Sequence, residues 1–297
     1  MKRAVLLLIP ILILASLFAV RAAEHASIQE TPVPTAAAAK PEPTPAPTPE
    51  PTPRPSETFY TEYDARNAET GETVKKQLGV YLPPAYDENG EYRAIFLMHV
   101  SGADETFWMN LGIGEILDGM ISSGEIPPVV AFMPDGYISD EKRGNRNDFS
   151  VYTQFAAEFR EDLIPFAREY YSLSLSRDDL AFYGASFGAY MTVNSVLAPN
   201  LDLVSNFGYV GGGTIEPARL EEGWNTSGCS ELPVRMLYIG EGEMDDRGPV
   251  ELSYMTLLNA CEKFHDDNLK FTLMPGIGHD ATEWTEGLKE ALRLFFG

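Results

Sequence analysis

From residue 58 onward the chain alternates short apolar runs with helical patterns, and this alternation narrows the choice of fold more than any other feature. The runs are 76–82 (KQLGVYL), 94–100 (AIFLMHV), 129–134 (VVAFMP), 179–183 (DLAFY), 206–210 (NFGYV), 234–239 (VRMLYI) and 269–274 (LKFTLM). Several are continuously apolar, as strands are when both faces of their sheet are covered. Between them Phe155, Phe159, Leu163, Phe166 and Tyr170 recur at helical spacing, with Pro165 a predicted kink, and 249–265 and 282–296 read as amphipathic helices. Strands that alternate with helices predict an α/β fold, a mostly parallel central sheet with helices on both faces. In such sheets ligands bind at the carboxyl ends of the strands.

The stretch before residue 58 is different. Lys2 and Arg3 precede an apolar run, 4–20, that ends in small residues with Val20 and Ala22 at cleavage-compatible positions. Residues 1–22 therefore read first as a signal peptide and second as an uncleaved membrane anchor. Residues 23–57 form a Pro/Thr-rich linker: ten of the 22 prolines lie in 31–56, a composition that favours extended polyproline II over a packed core. The most Pro-rich part, 41–55, would span roughly 45 Å at about 3.1 Å per residue. Residues 58–297 then form one domain. Its acidity, within a chain of formal charge −22 and without a basic run, argues against nucleic-acid binding. An exported protein permits a Cys229–Cys261 disulfide, although Cys261 also shares a helical stripe with Leu257 and Phe264. Two cysteines make no metal site.

The chemistry concentrates after the strands. GASFG, 184–188, places Ser186 between an apolar run and a small-residue helix pattern. Gly-x-Ser-x-Gly in that context is a nucleophile elbow, in which the glycines let strand and helix approach around a strained serine. A serine nucleophile needs a base. His279 in PGIGHD is the late histidine that follows a strand. An acid that orients the base is expected between them, and IGEGEMDDR offers Asp245 first and Asp246 second. The oxyanion hole needs two backbone donors: the Phe187 N–H after the nucleophile, and one from HVSGADETFW, where Ser101 is the candidate. Trp108, Tyr137, Phe187 and Trp224 are aromatic candidates for a pocket wall or for the core; Trp108 and Trp224 are the candidates for substrate contact, and Trp224 falls in a polar stretch that predicts exposure.

YLPPAYDENGEYRAIFLMHVSGADETFW, with Tyr81 to Tyr86, His99 to Gly102, Glu105 and Trp108, resembles the esterase D-like α/β hydrolases, the branch of feruloyl and acetylxylan esterases. GASFGAY and GIGHDATEW, with His279, Asp280 and Trp284, extend the resemblance over nearly all of 75–296. It implies an α/β-hydrolase fold and two-step acyl transfer from an acetyl or feruloyl ester of plant polysaccharide, with no metal or organic cofactor. A general carboxylesterase, an acyltransferase and a catalytically degenerate glycan-binding module are the alternatives. Three positions depart from the family pattern: Val100 stands where Gly is usual, Phe187-Gly188-Ala189 replaces Met-Gly-Gly, and Ala281 replaces an aromatic.

Overall fold

The computed structural model describes residues 54–145, 147–212, 215–246 and 250–297. The predicted signal peptide and most of the predicted linker lie outside them. Eight strands form one sheet: β1 (Glu57–Arg66), β2 (Thr73–Leu82), β3 (Arg93–Met98), β4 (Val129–Pro134), β5 (Leu180–Ala185), β6 (Asn206–Val210), β7 (Met236–Gly242) and β8 (Leu269–Met274), in the order β1-β2-β4-β3-β5-β6-β7-β8. From β4 to β8 every neighbouring pair is parallel, and β2 runs antiparallel to both β1 and β4. The α/β class expected from the alternation is the class observed.

Period-two alternation sends successive side chains of each central strand into two separate cores. Phe96, Phe182, Phe207, Leu237 and Ile239 pack on one face beneath α3 (Phe149–Glu158), α4 (Ile164–Tyr170), α6 (Pro217–Ser227) and α7 (Val250–Ala260). Ile95, Leu97, Ala181, Tyr183 and Tyr238 pack on the other beneath α1 (Phe107–Asn110), α2 (Ile113–Ser122) and α8 (Ala281–Phe296). Each fully buried Phe or Leu here stabilises the fold by about 1.5–3 kcal/mol.

Three features depart from the sequence expectations. The first is β1, ten residues paired in register with β2 at the sheet edge; it carries Glu57, Glu62, Asp64 and Arg66 and buries only Tyr63 and Ala65, so it has little apolar signal. The second is at the predicted Pro165 kink, where a π-helical turn at Phe159–Leu163 joins α3 directly to α4 and Pro165, second in α4, has no N–H to give to the turn before it. The third concerns Cys229 and Cys261, which are both buried free thiols, so the disulfide that export would permit is absent here.

Both ends of the described fold lie where the parallel strands begin. The Arg54 carbonyl accepts from the Ala85 N–H just beyond β2, whose end pairs with the start of β1. The Phe296 carbonyl accepts from Arg93 Nη1 at the first residue of β3.

Candidate active site

β5 ends at Ala185, and α5 (Phe187–Met191) starts two residues later. Ser186 bridges them with φ 55° and ψ −109°, a backbone region that disfavours any side chain. The flanking glycines are steric necessities. A Cβ on Gly184 would lie 2.0 Å from the Gly188 carbonyl oxygen, and one on Gly188 would lie 2.7 Å from the Met98 carbonyl oxygen. The Ser186 N–H donates to the Val210 carbonyl at the end of β6 over 2.9 Å, which pins the turn from the neighbouring strand.

His279 sits in the turn between β8 and α8, and Asp245 in the turn after β7. His279 Nε2 is 3.0 Å from Ser186 Oγ, and its Nδ1 is 2.8 Å from Asp245 Oδ2. An Nδ1–H donating to the carboxylate leaves Nε2 free to accept from the serine hydroxyl. The two turns are tied together by backbone. The Met244 N–H donates to the Ile277 carbonyl, the Glu243 N–H to the Met274 carbonyl and the Asp245 N–H to the Gly242 carbonyl, each over 2.9 Å. Between the two candidate acids, Asp245 rather than Asp246 is the one that faces the imidazole.

Glu283 is the residue that the sequence reading missed. It stands one helical turn after His279, fully buried, with Oε2 3.4 Å from His279 Nδ1 and Oε1 accepting the Gly242 N–H over 2.8 Å. The four-residue spacing from His279, just ahead of α8, to Glu283 in its first turn was the available signal. Glu283 raises the pKa of His279 above its ordinary value; burial opposes the rise and Asp245 adds to it. Burial, reinforced by the Asp245 charge, raises Glu283 itself. Asp245, His279 and Glu283 also place ligand-type atoms within 4.8 Å of one another, the spacing a metal ion would need.

The loop after β3 faces the elbow because Met98 pairs with Gly184 across the β3–β5 ladder. The Phe187 N–H opens α5 and so has no partner four residues back. Ser101 lies in the facing turn, exposed. Val100 fits without glycine's freedom, since the left-handed residue in this loop is Gly102, φ 76°. The loop is held by side chains. His99 Nδ1 donates to the Val100 carbonyl over 2.7 Å and its Nε2 accepts the Gly136 N–H over 2.8 Å. Arg143 donates to the Ala103 carbonyl over 2.6 Å and to Asp135 over 2.7 Å. Burial pushes the Asp135 carboxyl up, and the Lys76 and Arg143 cations work against it and hold it below the usual carboxylate range.

The two tryptophans expected at the substrate are elsewhere. Trp108 is fully buried; its Nε1 donates to the Met98 carbonyl over 3.1 Å and its ring packs edge-on against Tyr183, so it fixes the end of β3. Trp224 is 2% exposed on α6, and its Nε1 donates to the Leu197 carbonyl over 2.9 Å. The polar look of its neighbours concealed a helix that Pro217 begins and the left-handed Gly228 ends. Neither ring offers a face to a ligand. Phe187 and Tyr137 are also buried, stacked on each other at 5.0 Å, so Phe187 can contribute only its backbone.

A serine whose hydroxyl faces an imidazole, itself oriented by a carboxylate at the carboxyl end of a parallel sheet, defines a serine hydrolase of the α/β type. Comparison with known proteins narrows this class. Residues 71–211 match the Esterase family model. The chain is 33% identical over 150 residues to endo-1,4-beta-xylanase Y of Acetivibrio thermocellus; the match takes in 46% of this chain and only 13% of that much longer relative. A serine-to-alanine variant of the feruloyl esterase module from Clostridium thermocellum, complexed with sinapinate, superposes with a TM-score of 0.69 at 25% identity, over 85% of this chain and 93% of that one. A ferulic acid esterase from Anaeromyces mucronatus shares the fold, with a TM-score of 0.63 at 18% identity over 84% and 93% of the two chains. The fold and these matches liken the chain to the α/β-hydrolase esterases, and within them to the feruloyl esterases.

Proposed function

We propose that Ser186, His279 and Asp245 are the catalytic triad of an exported esterase that removes acetyl or feruloyl groups from plant polysaccharide. The observation that carries this reading is the unbroken relay from Asp245 Oδ2 through His279 to Ser186 Oγ, with contacts of 2.8 and 3.0 Å. In the first step His279 Nε2 takes the hydroxyl proton as Ser186 Oγ attacks the ester carbonyl, and the Phe187 and Ser101 amides receive the oxyanion. The imidazolium then protonates the departing alcohol oxygen. In the second step the same nitrogen deprotonates water, which releases the acid and regenerates the serine. Asp245 keeps the Nδ1–H tautomer throughout and stabilises the imidazolium.

The substrate class follows the relatives, a feruloyl esterase module complexed with sinapinate and a xylanase. The apolar leader and the Pro/Thr-rich linker, both in the sequence ahead of the described fold, support export to where such polymers lie. A degenerate binding module finds no support in Val100, since His99 and Arg143 hold the loop on either side of it. The test is hydrolysis of p-nitrophenyl acetate, methyl ferulate and acetylated xylan by the full chain and by Ser186→Ala. The variant should lose activity on the order of 10³-fold or more. A folded wild-type chain that turns over none of these esters refutes the proposal.

A further inference from the structure

The geometry points to Glu283 as a second acceptor for the Nδ1 proton of His279, a positioning residue that shares with Asp245 the task of orienting the imidazole and stabilising its charged form. The inference rests on the triad proposed above. Its first support is distance and burial. Glu283 Oε2 lies 3.4 Å from His279 Nδ1, is sealed from solvent and has no hydrogen-bond partner of its own. A carboxylate oxygen left in that state is unfavourable unless a nearby positive charge compensates it, and the imidazolium formed during acylation is such a charge. The second support is steric. Gly211, φ 59°, lies where a Cβ would meet Glu283 Oε2 at 2.7 Å and His279 Nδ1 at 2.8 Å, so the backbone leaves room for these two groups to approach.

The other groups around Glu283 leave His279 as its cation. Tyr183 from β5 and Tyr238 from β7 stand near it, Asp245 approaches the same ring nitrogen beside it, and Gly242 occupies its other oxygen. Asp280 lies beside His279 on the exposed side. In the reaction His279 Nε2 takes the serine proton, and the Nδ1–H stays on the ring between two acceptors. Neither carboxylate is protonated by the step.

Glu283→Gln separates this role from a structural one, because a glutamine oxygen still accepts the Gly242 N–H while the charge is lost. His279 must be neutral to act as base, and Glu283 raises its pKa, so removing the charge lowers the pH at which the base is freed. The experiment measures kcat/KM against pH for the wild type, Glu283→Gln, Asp245→Ala and the double variant, with p-nitrophenyl acetate as probe. Glu283→Gln should keep its melting temperature and move the acid limb to lower pH. Losing a sole orienting aspartate costs about 10⁴-fold. With Glu283 standing in, Asp245→Ala should lose about 100-fold or less, and the double variant about 10⁴-fold. A folded Glu283→Gln whose acid limb stays in place overturns the inference, as does a double variant within tenfold of Asp245→Ala. Failure of the triad reading is seen separately, as retained activity in Ser186→Ala.

Discussion

Lys76→Met tests the buried network behind the loop after β3. Lys76 Nζ lies 2.6 Å from Glu158 Oε1 and 2.7 Å from the Asp135 carbonyl oxygen, with side-chain exposures of 5% and 1% for the ion pair. Tyr63 donates to the same Glu158 oxygen, and Glu158 Oε2 has no partner. Methionine keeps most of the lysine stem, so the change chiefly strands a buried carboxylate, a loss of about 3–5 kcal/mol. For a domain of this size each kcal/mol lowers Tm by about 2–4 °C, so a fall of roughly 10 °C is expected. The effect has a sign in pH. Burial already raises the Glu158 pKa, with Lys76 working against it, and removing Lys76 raises it further. The folded variant then holds a proton that the unfolded chain releases, so its stability declines as pH rises through the window between the two pKa values. The Tm deficit, followed by circular dichroism, should be smaller near about pH 5 than near about pH 8, and Lys76→Met/Glu158→Met should recover most of it. A single variant melting within about 2 °C of the wild type near about pH 8 would show that the pair contributes nothing and refute the reasoning.

Gly184→Ala forces a Cβ to within 2.0 Å of the Gly188 carbonyl, with backbone on both sides. It should lose about 100-fold or more in kcat/KM through displacement of Ser186, and a variant with wild-type kinetics would show that the elbow yields more easily than its packing implies. Trp108→Phe and Trp224→Phe each remove a buried hydrogen bond and leave a void, so each should cost about 1–3 kcal/mol with KM for methyl ferulate unchanged within about twofold. A large rise in KM at unchanged Tm would instead put the ring in contact with substrate.

How much of this was legible in the sequence depended on where each signal came from. The central strands were visible because burial on both faces makes them continuously apolar, as in VVAFMP and DLAFY. β1 was not, because half of an edge strand meets water and ETFYTEYDAR reads as polar. Ser186 stood out because its turn restricts its neighbours to glycine, and chain order alone brought His279 and the 245–246 pair into view. Choosing Asp245 over Asp246 needed the turn geometry after β7. The tryptophans were misjudged because aromaticity without periodicity does not say which way a ring points. Glu283 escaped notice because its partner is a histidine ahead of the helix rather than the lysine or arginine expected one turn away on it.

The position of the two ends of the described fold has a consequence for modularity. Arg54 and Phe296 both sit at the end of the sheet where the parallel strands begin, and Ser186, His279 and Asp245 sit where they finish. Sequence added at either side of this domain therefore joins it on the face opposite Ser186, His279 and Asp245. A unit wired this way can be spliced into a longer polypeptide with its substrate approach pointing away from both joints. The similarity to a short stretch of a much longer xylanase is what such interchangeable wiring would leave behind.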